Sequence, residues 1–203
     1  MWEAARSRQS TRPPRHGAQL KDVVVSDESG SEVRLGELWR DQPVVLVFLR
    51  HYGCVFCRAQ AVQLHRTRDK FEEAGARLAV IGQGTPQQAE EFRRAQSITL
   101  PLYADPQRQA FDAAGAKIAT LTEIVNPRIV ARGIGHTVTS RLRQGSIAVH
   151  QWRIGGEHPS QLGGVLVIAP DDSIRYAHMS EDASDNPPVE EVLAAVSAIR
   201  PHA

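Results

Sequence analysis

The sequence predicts an α/β fold: a central mixed sheet flanked by helices. Three observations predict it. Short apolar runs alternate with longer amphipathic stretches, which is the pattern of α/β layers. One run, residues 44–48 (Val-Val-Leu-Val-Phe), is apolar at every position, as a strand covered on both faces must be. Late in the chain, two strand-like runs flank the turn Pro170-Asp171-Asp172, adding an antiparallel hairpin to the sheet.

The elements follow in order. Residues 1–19 hold Arg6, Arg8, Arg12 and Arg15 against the single acid Glu3, with no apolar periodicity, and read as a mobile basic tail. Residues 20–25 and 32–35 predict a hairpin around the polar turn at 26–31. Residues 35–39 predict a short helical turn, and Pro43 introduces the strand at 44–48. A helix is expected from about 55 to 74, with Cys57, Ala61, Leu64 and Phe71 at helical spacing and Gly75 as its stop. Residues 77–81 form the next buried strand. Gly82-Gln83-Gly84 is a loop that lacks the third glycine of a dinucleotide fingerprint. Thr85-Pro86 reads as an N-cap with proline at the first helical position, opening a helix over 86–96. A strand at 100–103 and a helix capped by Asp105-Pro106 and running to Ala114 follow.

Residues 116–162 are less regular. Arg128, Arg132, Arg141, Arg143 and Arg153 alternate with Ile, Val and Leu, and Pro127, Gly133, Gly135 and Gly145 interrupt any long helix. This insert is expected to hold one or two short helices and to present a solvated basic face, or to serve as a cap or as a subunit contact in a homodimer. Residues 164–168 and 174–178 are the late hairpin, and 189–199 the closing helix.

Composition bounds the class. With 203 residues, 41% hydrophobic and 23% charged, residues 20–203 are expected to form one globular domain with its own core. A net charge of +1 suggests neither a nucleic-acid nor a membrane partner. No apolar run reaches spanning length, and residues 1–19 lack the apolar stretch of a signal peptide. Two cysteines in 203 residues do not make a secreted disulfide scaffold, so a cytoplasmic location is expected.

Both cysteines fall in one motif, Cys54-Val55-Phe56-Cys57, between the apolar run and the long helix. Strand, loop, C-x-x-C and helix is the context of a thiol redox site. A cysteine at the first turn of a helix faces unpaired N–H groups and the positive end of the helix dipole. Both favour the thiolate, which is the nucleophile. A second cysteine three residues on can attack a mixed disulfide formed on the first. Cys54 is therefore the candidate nucleophile and Cys57 the candidate resolving thiol, on the apolar stripe of the helix. Two other readings compete: a metal site on His51, Cys54 and Cys57, which lacks a further ligand pair, and two cysteines that merely pack in the core.

The run Val47-Phe48-Leu49-Arg50-His51-Tyr52-Gly53-Cys54-Val55-Phe56-Cys57-Arg58, together with Gln161-Leu162-Gly163-Gly164-Val165-Leu166-Val167-Ile168, resembles the peroxiredoxin-like 2 family, the AhpC/TSA antioxidant-domain proteins of the thioredoxin-fold superfamily. The resemblance covers roughly residues 20–200. It implies a thioredoxin-like fold and a C-x-x-C cycling between dithiol and disulfide. It also implies reduction of a peroxide or an endoperoxide, with electrons from thioredoxin or a similar dithiol donor; the dithiol itself could equally attack a disulfide substrate. Cys54 is the attacking residue under that resemblance and Cys57 its partner.

Typical peroxiredoxins carry a Pro-x-x-x-Thr-x-x-Cys run and bring an arginine to the thiolate from the start of the late strand. The corresponding positions here are Val47, His51 and Gly163. A thioredoxin would have a cis-proline at the last of these. Arg50, Tyr52, Arg58 and Gly163 are the candidate substrate-binding residues, and His51 a candidate proton acceptor or donor to a leaving alkoxide. Arg50 and Arg58 are expected to be solvated or salt-bridged rather than catalytic. No organic cofactor is expected, because sulfur carries the electrons. The rival reading is a specialised enzyme or ligand-binding protein on the same scaffold with weak or no peroxidase activity.

Overall fold

The computed structural model describes residues 13–120 and 158–199. Its elements in chain order are α1 (Ala18–Lys21), β1 (Val24–Ser26), β2 (Glu32–Arg34), a 3-10 turn (Leu35–Trp39), β3 (Val44–Leu49), α2 (Val55–Glu73), β4 (Arg77–Gly82), α3 (Pro86–Gln96), β5 (Leu102–Ala104), α4 (Gln109–Ala113), β6 (Gly164–Ile168), β7 (Ile174–Met179) and α5 (Val189–Ser197). The strands form one sheet in the order β2-β1-β5-β4-β3-β6-β7. The β5-β4-β3 core is parallel, while β6 runs antiparallel to β3 and β7 antiparallel to β6.

β3 divides the core. Side chains alternate across a strand, so Val45, Val47 and Leu49 pack on one face with Ala61, Leu64 and Phe71 of α2, Phe92 of α3 and Val192 and Val196 of α5. Val44, Leu46 and Phe48 pack on the other with Leu20, Trp39 and Phe111. Phe48 and Phe111 meet edge to face at 5.3 Å between ring centroids, a favoured aromatic geometry. All six residues of β3 are buried, which is why its sequence shows continuous apolarity rather than alternation. Both cysteines belong to the α2 face.

Most expected elements stand where the sequence puts them. α3 covers the expected residues, and its N-cap is a full capping box: the Thr85 hydroxyl accepts from the Gln88 N–H, and the Gln88 side chain accepts from the Thr85 N–H at 2.7 Å. Three expectations are corrected. Leu20 begins no strand but lies in α1, because its buried side chain packs under the 3-10 turn. The basic tail does not extend to residue 19, since the Gly17 N–H donates to the Asp172 carbonyl at 2.7 Å and His16 bridges to Ser173. The helix after β5 starts at Gln109, three residues beyond Pro106, although the Asp105 carboxylate does cap it by accepting from the Gln109 and Ala110 N–H groups. Apart from 116–120 and 158–162, the insert lies outside the described residues, as do residues 1–12 of the tail. Among the described residues no helix is long and apolar enough to cross a membrane.

Candidate active site

The site lies at the carboxyl ends of β3 and β4, the end of an open α/β sheet where ligands bind. Cys54 is the N-cap residue of α2, in extended backbone, and its side chain makes no cap bond. The loop leading to it is closed by the Cys54 N–H donating to the His51 carbonyl at 3.1 Å. The sulfur is thus left facing the first turn of the helix, with Cys57 one turn further in.

Both thiols are free and both are buried. The sequence expectation that Cys57 faces the core holds, but Cys54 is no more open, at 6% exposure against 4%. Cys57 lies within hydrogen-bonding reach of Cys54, and the two titrate in opposite directions. Cys54 is lowered to about 6, chiefly by the hydrogen bond from the Cys57 thiol, with the Arg50 charge and the Cys57 and Phe56 N–H groups adding to it against the opposing effect of burial. Cys57 is raised, first by burial and then by its bond and charge interaction with Cys54. Within the pair the negative charge is favoured on Cys54 rather than on Cys57.

The cation that faces it is Arg50, and here the expectation of a solvated or salt-bridged arginine is corrected. Arg50 is 7% exposed. Its Nη1 donates to Cys54 Sγ at 3.4 Å, Nη2 to the Pro159 carbonyl at 2.9 Å and Nε to the Gln161 carbonyl at 3.1 Å. Among the described residues no carboxylate is bonded to its guanidinium. A buried cation needs a partner, and two carbonyl dipoles with one thiolate fill that role.

The other expected residues are placed differently. His51 is buried and its imidazole is lowered to about 4, first by burial and then by Arg50 and Arg58. It is neutral at pH 7 and adds no positive charge to the sulfur. Tyr52 is buried, its ring 4.9 Å from that of Phe92, so it packs rather than lining an open surface. Arg58, half-buried, donates from Nε to the Tyr52 carbonyl at 3.5 Å. Gly163 forms part of the floor, where a Cβ would collide with the Phe48 carbonyl oxygen. No side chain fits at 163, so a guanidinium reaches the sulfur from residue 50 instead. His51, Cys54 and Cys57 do not converge as metal ligands, and among the described residues no group of three His, Cys, Asp or Glu does.

Two residues of the site were not singled out by the sequence. Gln161 is fully buried and sends its Nε2 to the Ala116, Lys117 and Leu162 carbonyls. Gln83, 1% exposed, bonds both Arg50 and His158. Gln83 directly follows β4 and Gln161 lies three residues before β6.

Comparison with known proteins bears on the fold and the family. The family model described as AhpC/TSA antioxidant enzyme matches residues 63–182, a range that begins beyond both cysteines. The chain is 32% identical over 186 residues to the thioredoxin-like protein AAED1, chloroplastic, of Arabidopsis thaliana, covering 88% of this chain and 72% of that one. It is 30% identical to Peroxiredoxin-like 2C of Bos taurus, covering 88% and 78%. It is 31% identical to the prostamide/prostaglandin F synthase of Salmo salar, covering 88% of each. The crystal structure of peroxidoxin BcpB from Mycobacterium tuberculosis superposes with a TM-score of 0.63 at 21% identity, over 92% of this chain and 98% of that one. That likeness shows the peroxiredoxin-type, thioredoxin-like fold. The chain belongs to the AhpC/TSA antioxidant enzyme family, alongside the peroxiredoxin-like 2 proteins.

Proposed function

We propose that Cys54 and Cys57 are the dithiol of a peroxide- or endoperoxide-reducing oxidoreductase, re-reduced by a thioredoxin-like dithiol protein. The observation that carries this reading is the Arg50 guanidinium 3.4 Å from a Cys54 sulfur at a helix N-cap, with Cys57 in the same turn. The Cys54 thiolate attacks one oxygen of the O–O bond. The S–O bond forms, the O–O bond breaks, and the leaving oxygen departs as an alkoxide that takes up a proton. Cys57 then displaces the oxygen from Cys54, forming the disulfide and releasing water or, from an endoperoxide, the second hydroxyl of the product. An external dithiol restores both thiols and is itself oxidised to a disulfide.

Arg50 stabilises the thiolate before attack and faces the negative charge as it moves from sulfur to oxygen. An arginine from the late strand is absent, but this buried guanidinium supplies a cation in its place. His51, lowered to about 4, is uncharged at pH 7 and could assist only as a neutral N–H donor or acceptor. The name of the Salmo salar relative supports a bulky endoperoxide as one substrate class. A homodimer and a cytoplasmic location belong to the same proposal.

The test is mass spectrometry after mild oxidation. An intramolecular disulfide appears as the loss of two hydrogens, reversed by a dithiol. Cys57→Ser should trap mixed disulfides on Cys54, whereas Cys54→Ser should trap none on Cys57. Thiols that alkylate only after denaturation would reduce the pair to core residues.

A further inference from the structure

The loop Gly82-Gln83-Gly84, at the end of β4, is too short of glycines for a dinucleotide site, yet its three residues hold three parts of the site. Tyr52 lies against both glycines: a Cβ on Gly82 would collide with the Tyr52 hydroxyl, and one on Gly84 would stand 2.7 Å from the Tyr52 ring. Glycine is needed at both positions for this close approach. The tyrosine is thereby seated between the loop and Phe92, two residues from Cys54.

Gln83 does more. Its Oε1 accepts the His158 N–H at 2.7 Å, and its Nε2 donates back to the His158 carbonyl at 3.0 Å. This is the reciprocal pair a neighbouring strand residue would make. The second Nε2 hydrogen goes to the Arg50 carbonyl. Both donors of the amide are therefore used, and the side chain lies in the interior.

The turn it fixes is the one that aims Arg50. The Gln161 N–H returns to the His158 carbonyl at 3.1 Å, and the Ser160 N–H donates to His158 Nδ1 at 3.2 Å. The Pro159 and Gln161 carbonyls of that turn receive Arg50 Nη2 and Nε. The guanidinium is thus held at two removes by one amide: through its own main chain, and through the two carbonyls that leave only Nη1 to point at sulfur.

We propose that Gln83 is a positioning residue for the Cys54 thiolate, acting through Arg50 and the 158–161 turn. This deepens the reading of Cys54 as the nucleophile and rests on it. An amide placed here only to satisfy buried backbone would stabilise the protein without setting the chemistry of the sulfur. The groups facing Cys54 from the elements packed on it are Cys57, Arg50 and the Phe56 and Cys57 N–H groups of the helix. Gln83 itself carries no charge, so any effect it has on the sulfur travels through geometry.

The experiment is the pH dependence of Cys54 alkylation by iodoacetamide in Cys57→Ser protein, with Gln83 intact or changed to Met. Methionine has similar length and no hydrogen-bonding amide. Gln83→Met should raise the midpoint by about one unit and slow alkylation below it about tenfold, since only the thiolate reacts. The same change in an Arg50→Ala background should add little, because both act on one interaction. An unmoved midpoint, or a shift as large without Arg50, would overturn the proposal. Should Gln83→Met not fold, the wild-type chain decides: the Gln83 side-chain amide signals in nuclear magnetic resonance should titrate with Cys54, and signals flat through that titration would overturn it. Failure of the nucleophile reading looks different. There, Cys54 would alkylate as an ordinary buried thiol even with Gln83 and Arg50 in place.

Discussion

The two ends of β3 handle charge in opposite ways. Beside Val44, the β6–β7 turn brings Asp172 to a settled arrangement: its carboxylate accepts from the Trp39 indole N–H at 2.7 Å and from Lys21 Nζ at 2.8 Å, while its carbonyl takes the Gly17 N–H. Beyond Leu49, the other end holds a buried arginine whose bonded partners are two carbonyls and a sulfur. An ion pair of Asp172's kind neutralises itself and anchors the chain. Bonded among the described residues to carbonyls and no carboxylate, the Arg50 guanidinium keeps its positive charge available to an anion on Cys54. Structural charge is cancelled within the fold; the charge at the site is left for the thiolate.

Removing Arg50 should break that contrast most severely. Arg50→Ala should slow peroxide oxidation of Cys54 at least roughly a hundredfold, the usual effect of losing a donor from a site of developing charge; stopped-flow oxidation checks it. Arg50→Lys should recover only part, because one ammonium cannot reach both carbonyls and the sulfur as a planar fork does.

The pH profile sharpens the same point. With Cys54 lowered to about 6, wild-type reactivity should be full at pH 7.5 and fall as the pH drops through that midpoint, where the thiolate is protonated. In Arg50→Ala the fall should begin at higher pH, since burial without the cation favours the neutral thiol.

At the opposite end, Asp172→Ala should leave thiol kinetics unchanged and lower stability by about 1–3 kcal/mol, the cost of stranding the Trp39 N–H; denaturant unfolding measures it. The sign of its pH dependence is fixed. Asp172 is lowered by its bonds to Lys21 and Trp39, so its contribution is fully present above the ordinary carboxylate pKa and lost as the pH falls through the depressed folded value. Acid unfolding of wild type should therefore steepen in that range relative to the variant. The smallest effect should come from His51→Ala. Because the imidazole is neutral, its loss should move the Cys54 midpoint little; a large upward shift would show that His51 is charged in the working enzyme.

How much of this was legible in the sequence differs between the same two ends. β3, α2 and the C-x-x-C follow from local pattern: a run apolar on both faces, then a helix stripe at i, i+4 and i+7. That Arg50 turns inward onto the sulfur does not. The residue after a fully buried strand has no polar alternation to say which way it points, and its partners at Pro159 and Gln161 lie 109 and 111 residues away. Gln83 reads as an ordinary loop polar residue for the same reason, since its meaning depends on His158, 75 residues on. Leu20 fails differently. A four-residue helix is too short to show periodicity, and the apolar run around it looks like a strand until the 3-10 turn is seen to cover it.

The contact between Arg50 and Cys54 also bears on the direction of electron flow in the proposed cycle. A cation beside the sulfur stabilises the charged thiolate, and so the reduced protein; the disulfide, having no charge, gains nothing from it. Stabilising the reduced form raises the reduction potential of the couple. In the proposed cycle, the oxidised protein would then be the stronger acceptor toward a dithiol donor. In that cycle one contact would serve both the first step, attack by Cys54, and the last, its regeneration.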